Sequence, residues 1–344
     1  MTTADTTGAG PLRVVQVGCG DIATTGHLPA LDRSPAVTLV GVVDVVAEHR
    51  DAAAAAYGVP AWTELGPAVA AGARAAVVAV PPHVAPSLTL AAIDAGLDVL
   101  CEKPMAVDLA SARKVHDAAR AAGRIVQIGF KNRFSPLVRA ARRWLDDGLI
   151  GSPAVYTLGG FDERYDAADT VHVGRIQEFL AHGPSYLHEG AHLADYLAYL
   201  TGATPVRVRA TGVRSQPRFH GENFVSALVD YANGDAARME VGWFFPSSPK
   251  GEFRILGPRG VALIDRPEQV ATLTTRDDDG TLRTEEVRFE RPWNDECFDR
   301  QLAHFAECVR TRAEPETSTA AGLASLRLGA AVTESLREGT VVVW

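Results

Sequence analysis

Between residues 12 and 129, short β-branched runs alternate with Ala-rich helical stretches, and this alternation most constrains how the chain can fold. The runs are LRVVQVG (12–18), VTLVGVVD (37–44), AAVVAV (75–80), LDVLCE (97–102) and RIVQIG (124–129). Segments such as AEHRDAAAAAYG (47–58) and SLTLAAIDAG (87–96) lie between them, the second with Gly96 as a helix stop. Near-continuous apolar strands joined by helical crossovers bury both faces in a parallel sheet covered on each side, which predicts a doubly wound domain.

After Gly129 the texture changes. SPAVYTLGGF (152–161), VRVRATGVRS (206–215), VSALVDYANG (225–234), AARMEVGWFF (236–245) and FRILGPRGVALID (253–265) alternate apolar and polar residues, with Asn233-Gly234 as a turn signal. Period-two patterning predicts an antiparallel sheet with one covered face. Helices are expected near 137–147, 186–200, 298–312 and 318–338. At 344 residues the chain is long enough for two cores, so the expected division is a loose tail at 1–10, a first domain at 11–128 and a second at 129–344.

Composition excludes several classes. With 47% hydrophobic and 22% charged residues and no apolar run of membrane-spanning length, the chain reads as a globular protein with no membrane partner. The start MTTADTTGAGPL has no basic end followed by an apolar block, which predicts a cytoplasmic protein. Cys19, Cys101, Cys297 and Cys308 form no CxxC pair and read as small buried hydrophobes. A formal net charge of -8 argues against nucleic acid as a partner.

Two motifs carry chemistry. The first is Gly18-x-Gly20-x-x-Ala23, placed after the first strand at the start of a helix. Its first glycine permits a tight turn, its second lets the backbone approach a pyrophosphate, and its small third residue lets helix and strand pack. Asp44 ends the second strand 24 residues after Gly20, where a carboxylate accepts ribose hydroxyls and repels an added phosphate. The following Val45 and Val46 include no arginine, so NAD is expected over NADP. The second motif is His188-Glu189-Gly190-Ala191-His192, which fits the HExxH zinc pattern. The extended form would need Gly and His where Asp195 and Ala198 stand, and Gly190 weakens a helix by roughly 1 kcal/mol relative to Ala. No metal is expected.

VLCEKPMA (99–106), together with the glycine motif, GFKNRFSPLVRAARRWLDDGLIGSP (129–153), HLADYLAYLTG and the tail from FDRQLAHF, closely resembles the glucose-fructose oxidoreductase / inositol dehydrogenase / MocA family along nearly the whole chain. The resemblance implies an α/β protein: an N-terminal Rossmann domain, then a C-terminal α/β domain whose open, mostly antiparallel sheet is often buried in a homodimer or homotetramer. It implies an NAD(P)-dependent oxidoreductase acting on a secondary alcohol of a sugar, cyclitol or related polyol. Alternatives are an NAD-assisted lyase, epimerase or glycosidase with no net redox change, and a non-catalytic NAD-binding sensor.

The resemblance assigns residues as well. Lys103 of the EKP motif lies beside nicotinamide and substrate, often before a cis proline, and an ammonium there stabilises a developing alkoxide. The family's DxGxHxxD signature maps onto Gly190, His192 and Asp195, which makes His192 the expected acid/base. Its aspartate position is His188, so the usual carboxylate partner is replaced by an imidazole. On one continuous helix, positions 188, 192 and 195 share a face while Glu189 points about 100° away, with Ser185 as N-cap. His188 would then relay a proton or bind substrate, and Asp195 would serve as a structural charge partner. The expected cofactor contacts are Gly18, Gly20, Asp21, Ile22, Ala23, Asp44, Pro81, Glu102 and Lys103. Expected substrate contacts are Lys131 and Arg133, with Arg164, Tyr165, His172, Arg175 and His182 from the variable 162–182 segment. A histidine usual three residues after the ProPro pair is Ala85 here, and HGPSY (182–186) replaces a glycine-rich run. The cations and imidazoles together suggest a polyhydroxylated substrate, with room for an acidic group.

Overall fold

The computed structural model describes residues 10–216, 221–247 and 253–344, so nearly all of the tail expected at 1–10 lies outside the described residues. The chain folds as two compact units. One contains the chain up to Ala106, Ala110–Lys131 and Asn294–Ala320; the other contains Val107–Leu109, Asn132–Trp293 and Ala321–Trp344. The chain passes from the first unit to the second between Lys131 and Asn132, where the expected boundary was 128/129, and a second segment, 294–320, returns to the first.

The first unit holds β1 (Leu12–Val17), β2 (Val37–Val43), β3 (Ala61–Trp62), β4 (Ala75–Val78), β5 (Asp98–Cys101) and β6 (Val126–Ile128). All pair in parallel, in the order β3-β2-β1-β4-β5-β6. Its helices are α1 (Leu28–Arg33), α2 (Ala47–Tyr57), α3 (Leu65–Ala70), α4 (Ala85–Asp94) and α5 (Leu109–Ala121). The direction of winding reverses between β1 and β4, and in such sheets ligands bind at the carboxyl ends of the strands beside that point. The helix Trp293–Thr311 belongs to this core: Phe298, Leu302 and Phe305 pack with Val14, Leu28 and Val77. The segment after it closes the sheet's edge, with Ile128 N–H donating to Thr317 O at 2.6 Å and Arg312 paired with Asp98 at 2.6 Å.

The second unit holds α6 (Pro136–Asp146), β7 (Val155–Asp162), α7 (Thr170–His182), α8 (Ser185–His188) and α9 (Gly190–Thr201). There follow β8 (Pro205–Val213), β9 (Phe224–Tyr231), β10 (Ala236–Trp243), β11 (Phe253–Leu256), β12 (Gly260–Asp265), β13 (Val270–Arg276) and β14 (Leu282–Arg288). The helix Trp293–Thr311 is α10, and α11 (Thr319–Glu338) and β15 (Val342–Val343) end the chain. The sheet order is β14-β13-β12-β11-β7-β10-β9-β8-β15; β7 and β10 pair in parallel and the other pairs are antiparallel. One face is buried under Leu137 and Trp144 of α6, Leu193 and Leu197 of α9, and Leu328 and Val332 of α11.

The structure departs from sequence expectation in five places. The stretch 253–265 is a hairpin of two strands. β13 and β14 were not anticipated, because β14 is polar on both faces and exposed along nearly its whole length, leaving no apolar alternation to read. The variable 162–182 segment contains a 13-residue helix capped by Asp169, whose side chain accepts from His172 N–H at 3.0 Å. The helix expected at 186–200 is interrupted: α8 ends at His188, α9 starts at Gly190, and His192 N–H donates to Glu189 O, one residue short of the α-helical spacing. Ser185 is the first residue of α8 and not its cap; its hydroxyl reaches Glu222 O at 3.5 Å.

Candidate active site

At the carboxyl end of β1 the glycine motif behaves as its spacing predicts. Gly18 has φ +86°, and a Cβ there would stand 2.2 Å from Ala79 O in the segment after β4, so only glycine fits. A Cβ on Gly20 would meet nothing within 4 Å, leaving open space over the backbone where a ligand can approach. Ala23 is fully buried and begins a π turn, Ala23–His27, that runs into α1. Asp21 is exposed and its carbonyl accepts from the Thr24 and Thr25 hydroxyls, while Ile22 is exposed beside it.

Asp44 folds back onto this turn, accepting from Cys19 N–H at 2.7 Å and Val46 N–H at 2.8 Å. Each carboxylate oxygen keeps a further lone pair for a ribose hydroxyl. Exposed Val45 and Val46 supply an apolar strip next to it. Arg50, one turn into α2, brings its guanidinium within 3.3 Å of Asp44 O, a cation that inspection of the two residues after Asp44 missed. Pro81, after β4, accepts from the N–H groups of Val84 and Ala85 and so starts α4, where Ala85 is buried. Together these groups fit a dinucleotide. Burial, with Asp44 adding to it, pushes the Cys19 thiol up to about 12, so this cysteine is no thiolate nucleophile; all four cysteines are buried and free.

After β5, Lys103 precedes Pro104 through a cis peptide, as the family resemblance anticipates, and its backbone N–H donates to Glu102 Oε2 at 2.9 Å. Glu102 itself is buried, and its Oε1 lies 2.8 Å from His27 Nε2. Desolvation pushes this carboxyl upward, but the hydrogen bond from His27 and the charges of His27, Lys103 and Lys131 outweigh it and hold the group below its usual range. Gly129 makes room for it, since a Cβ there would stand 2.8 Å from Glu102 Oε1. Lys131 is buried, donating to Asn294 at 2.9 Å with its ammonium 4.2 Å from the Phe298 ring centre. Both residues are therefore committed to internal contacts. His27, whose ring also packs edge-on against Phe298, is a member of this buried network that sequence reading missed; its one signal was its place at the end of the glycine-motif turn.

In the second unit the α8–α9 junction packs against the carboxyl-terminal halves of β7 and β10. Gly160 and Gly190 let helix and sheet approach: their Cβ atoms would lie 3.1 Å from Glu189 Cγ and 3.4 Å from Val241 Cγ2. His192 is buried on α9. His188 lies between two rings, nearly parallel to Phe179 at 5.7 Å and tilted against Trp243 at 5.5 Å. Asp195 is held by Arg133, whose guanidinium also lies 5.1 Å from the Tyr199 ring. His188 and Asp195 thus go to different partners, and Asp195 has the structural role expected of it. Among the described residues no group of three or more His, Cys, Asp or Glu side chains is arranged to hold a metal ion.

Just beyond the strand ends, Glu163 (φ +48°) and Phe244 (φ +62°) both adopt left-handed backbone, joined by Phe244 N–H donating to Glu163 O at 2.8 Å. Such conformations cost of order 1–3 kcal/mol each and cluster at functional sites. The Glu163 side chain meets His172 Nε2 at 3.2 Å and Arg175 at 3.9 Å, and Arg175 donates to His172 Nδ1 at 3.1 Å. Tyr165 and Phe179 pack on Ile176, Leu180, Trp243 and Phe244 below. Desolvation lowers the Arg175 guanidinium from its ordinary value. Arg164 and His182 are exposed.

The first domain matches the model of the oxidoreductase family with NAD-binding Rossmann fold over residues 12–130, and the second matches that family's C-terminal alpha/beta domain over 142–343. The chain is similar to the scyllo-inositol 2-dehydrogenase (NAD(+)) of Bacillus subtilis, 26% identical over 318 residues, which are 90% of this chain and 89% of the relative. It is also 26% identical to the D-apiose dehydrogenase of Paraburkholderia graminis, covering 99% of this chain and 92% of that one. Among solved structures, the aldose-aldose oxidoreductase from Caulobacter crescentus, complexed with glycerol, superposes with a TM-score of 0.84 at 26% identity, covering 97% of this chain and 100% of its own.

Proposed function

The chain belongs to the glucose-fructose oxidoreductase / inositol dehydrogenase / MocA oxidoreductase family, and from that membership we propose that it is an NAD-dependent dehydrogenase interconverting a secondary alcohol and a ketone on a sugar, cyclitol or related polyol. The observation that carries this reading is the intact nucleotide turn: Gly18 locked by its positive φ, open space over Gly20, and Asp44 hydrogen-bonded to the same loop. Gly18, Gly20 and the turn from Asp21 to Ala23 would hold the pyrophosphate, and Asp44 the adenosine ribose, with a preference for NAD over NADP. When bound, NAD supplies the hydride acceptor.

The protein's own part is to hold and move the proton. His192 takes the hydroxyl proton during oxidation and returns it on reduction. Lys103 stabilises negative charge on the reacting oxygen, and its backbone is held by Glu102. His188, clamped between Phe179 and Trp243, fixes the approach to α9. Tyr165, His172 and Arg175, with exposed Arg164 and His182, form the variable wall that contacts the rest of the substrate. Relatives that act on scyllo-inositol and D-apiose support a polyol in this place.

We place the enzyme in the cytoplasm, which suits four free buried thiols, and as a homodimer or homotetramer formed through the uncovered face of the nine-stranded sheet. That face carries exposed Val155, Leu256 and Val261 side by side across three strands; in the neighbouring row exposed Leu228 and Leu263 stand at the two ends, with Arg238, Thr157 and Arg254 between them. No helix among the described residues is long and apolar enough to cross a membrane.

The test is NADH formation by the purified protein against inositols and aldoses. His192→Ala and Lys103→Met should each reduce kcat by about 10²–10⁴-fold while both proteins still bind NAD. Full activity of His192→Ala, or no stoichiometric NADH across the panel, would count against the assignment.

A further inference from the structure

We infer that Glu163 is an internal counter-ion that restricts the substrate to polyols uncharged at the position facing His172 and Arg175; this rests on the polyol reading above and names the substrate class more narrowly.

Hydrogen-bond roles fix the protonation of the group. Arginine only donates, so His172 Nδ1 must accept from Arg175, which puts the imidazole proton on Nε2 and directs it at Glu163 Oε2. The arrangement is that of a neutral imidazole between a guanidinium and a carboxylate, and the three groups sum to zero charge. Without Glu163, the same wall would present an arginine and a histidine converging on one point, the arrangement proteins use to bind a carboxylate or phosphate. Glu163 already occupies that point.

Its position is over-determined. The left-handed backbone at Glu163 is held by the Phe244 N–H, itself on a left-handed residue with a fully buried ring. His172 is held from the other side by the Asp169 cap. The side chains of Glu163, His172 and Arg175 nevertheless remain 20%, 23% and 37% exposed, so a ligand can reach them. An acidic substrate group here would face the Glu163 carboxylate and would have to displace it; a hydroxyl can share the existing hydrogen bonds. The buried cation Arg133 is likewise committed, to the Asp195 carboxylate, and brings no surplus positive charge to an acid.

Two matched sugar pairs test this, each differing only in a carboxylate: D-glucose with D-glucuronate, and D-galactose with D-galacturonate. The wild-type protein should favour the neutral member in kcat/KM. Glu163→Gln should improve the uronate-to-neutral ratio by roughly tenfold or more, through KM for the uronate, since a hydrogen bond to a charged group is worth about that factor. Glu163→Asp, which keeps the charge, should retain the wild-type ratio and shows that the change is not misfolding. Adding Arg175→Gln to Glu163→Gln should abolish the gain. If the wild type oxidises no polyol, the dehydrogenase reading falls, and calorimetric titration of D-glucuronate into the same proteins decides the inference separately: tighter binding by Glu163→Gln than by wild type supports it. A wild-type preference for uronates, or no uronate gain in Glu163→Gln by either readout, overturns it.

Discussion

Arg133 Nε donates to Asp195 Oδ2 at 3.1 Å while its NH2 group donates to Oδ1, a bidentate pair in which the two side chains are only 9% and 2% exposed. Burial pushes the Asp195 carboxyl upward and the guanidinium opposes it, so each group depends on the other. Arg133→Met strands a buried carboxylate and should destabilise the protein by about 3–5 kcal/mol. The double change Arg133→Met/Asp195→Leu, which leaves no orphan charge, should cost clearly less. Urea unfolding of the two variants checks this; equal losses would mean that the pair acts through packing alone.

The proposed preference for NAD assigns cofactor choice to Asp44, which has Arg50 at its carbonyl. Asp44→Ser should remove the repulsion toward a 2′-phosphate while leaving that guanidinium available. NADP should then gain at least about tenfold in kcat/KM relative to NAD, because a lost like-charge contact at short range is worth more than about 1.4 kcal/mol. Arg50→Ala in the same background should reverse much of the gain, measured by initial rates with each cofactor.

The buried Glu102 carboxyl titrates below its ordinary value of 4.5. A depressed folded-state pKa contributes stability that is fully present above the unfolded value and is lost as pH falls through the folded one. The difference in Tm between wild type and Glu102→Gln should therefore be constant above about pH 6 and shrink below about pH 4.5. Thermal melts at intervals between about pH 3 and 7 measure it, and a difference that grows on acidification would show that the folded carboxyl titrates above its ordinary value instead.

On the sheet's uncovered face, Leu263→Glu or Leu228→Glu should shift the protein toward monomer in sedimentation, with the far-UV circular dichroism retained. Burying a charge at an apolar contact disfavours association, whereas on a permanently exposed sheet the same change is nearly neutral.

Much of the first unit could be read in advance because its signals are local. The β-branched runs around Gly18 and Asp44 state strand identity within a few residues, and the need for glycine at position 18 follows from one tight turn. The second unit was legible where one face is covered, as in β8 to β10. It was not legible at β14, where polar residues lie on both faces, or at α7, which falls in the variable 162–182 segment for which no element was expected.

The sequence alone determined the two-domain α/β plan, the nucleotide motif, and the presence of Lys103 and His192, since each depends on neighbours along the chain. Only the tertiary structure decided which charges are spoken for. Asp195 finds Arg133 from 62 positions away, Glu102 finds His27 from 75, and Lys131 reaches Asn294 from 163. Glu163 and His172 are close in sequence, yet their contact depends on a left-handed turn anchored by Phe244, just past the end of β10. Sequence reading counted these cations as available for a substrate; burial and pairing, which arise when distant segments exclude water together, commit them to internal partners and change what the site can bind.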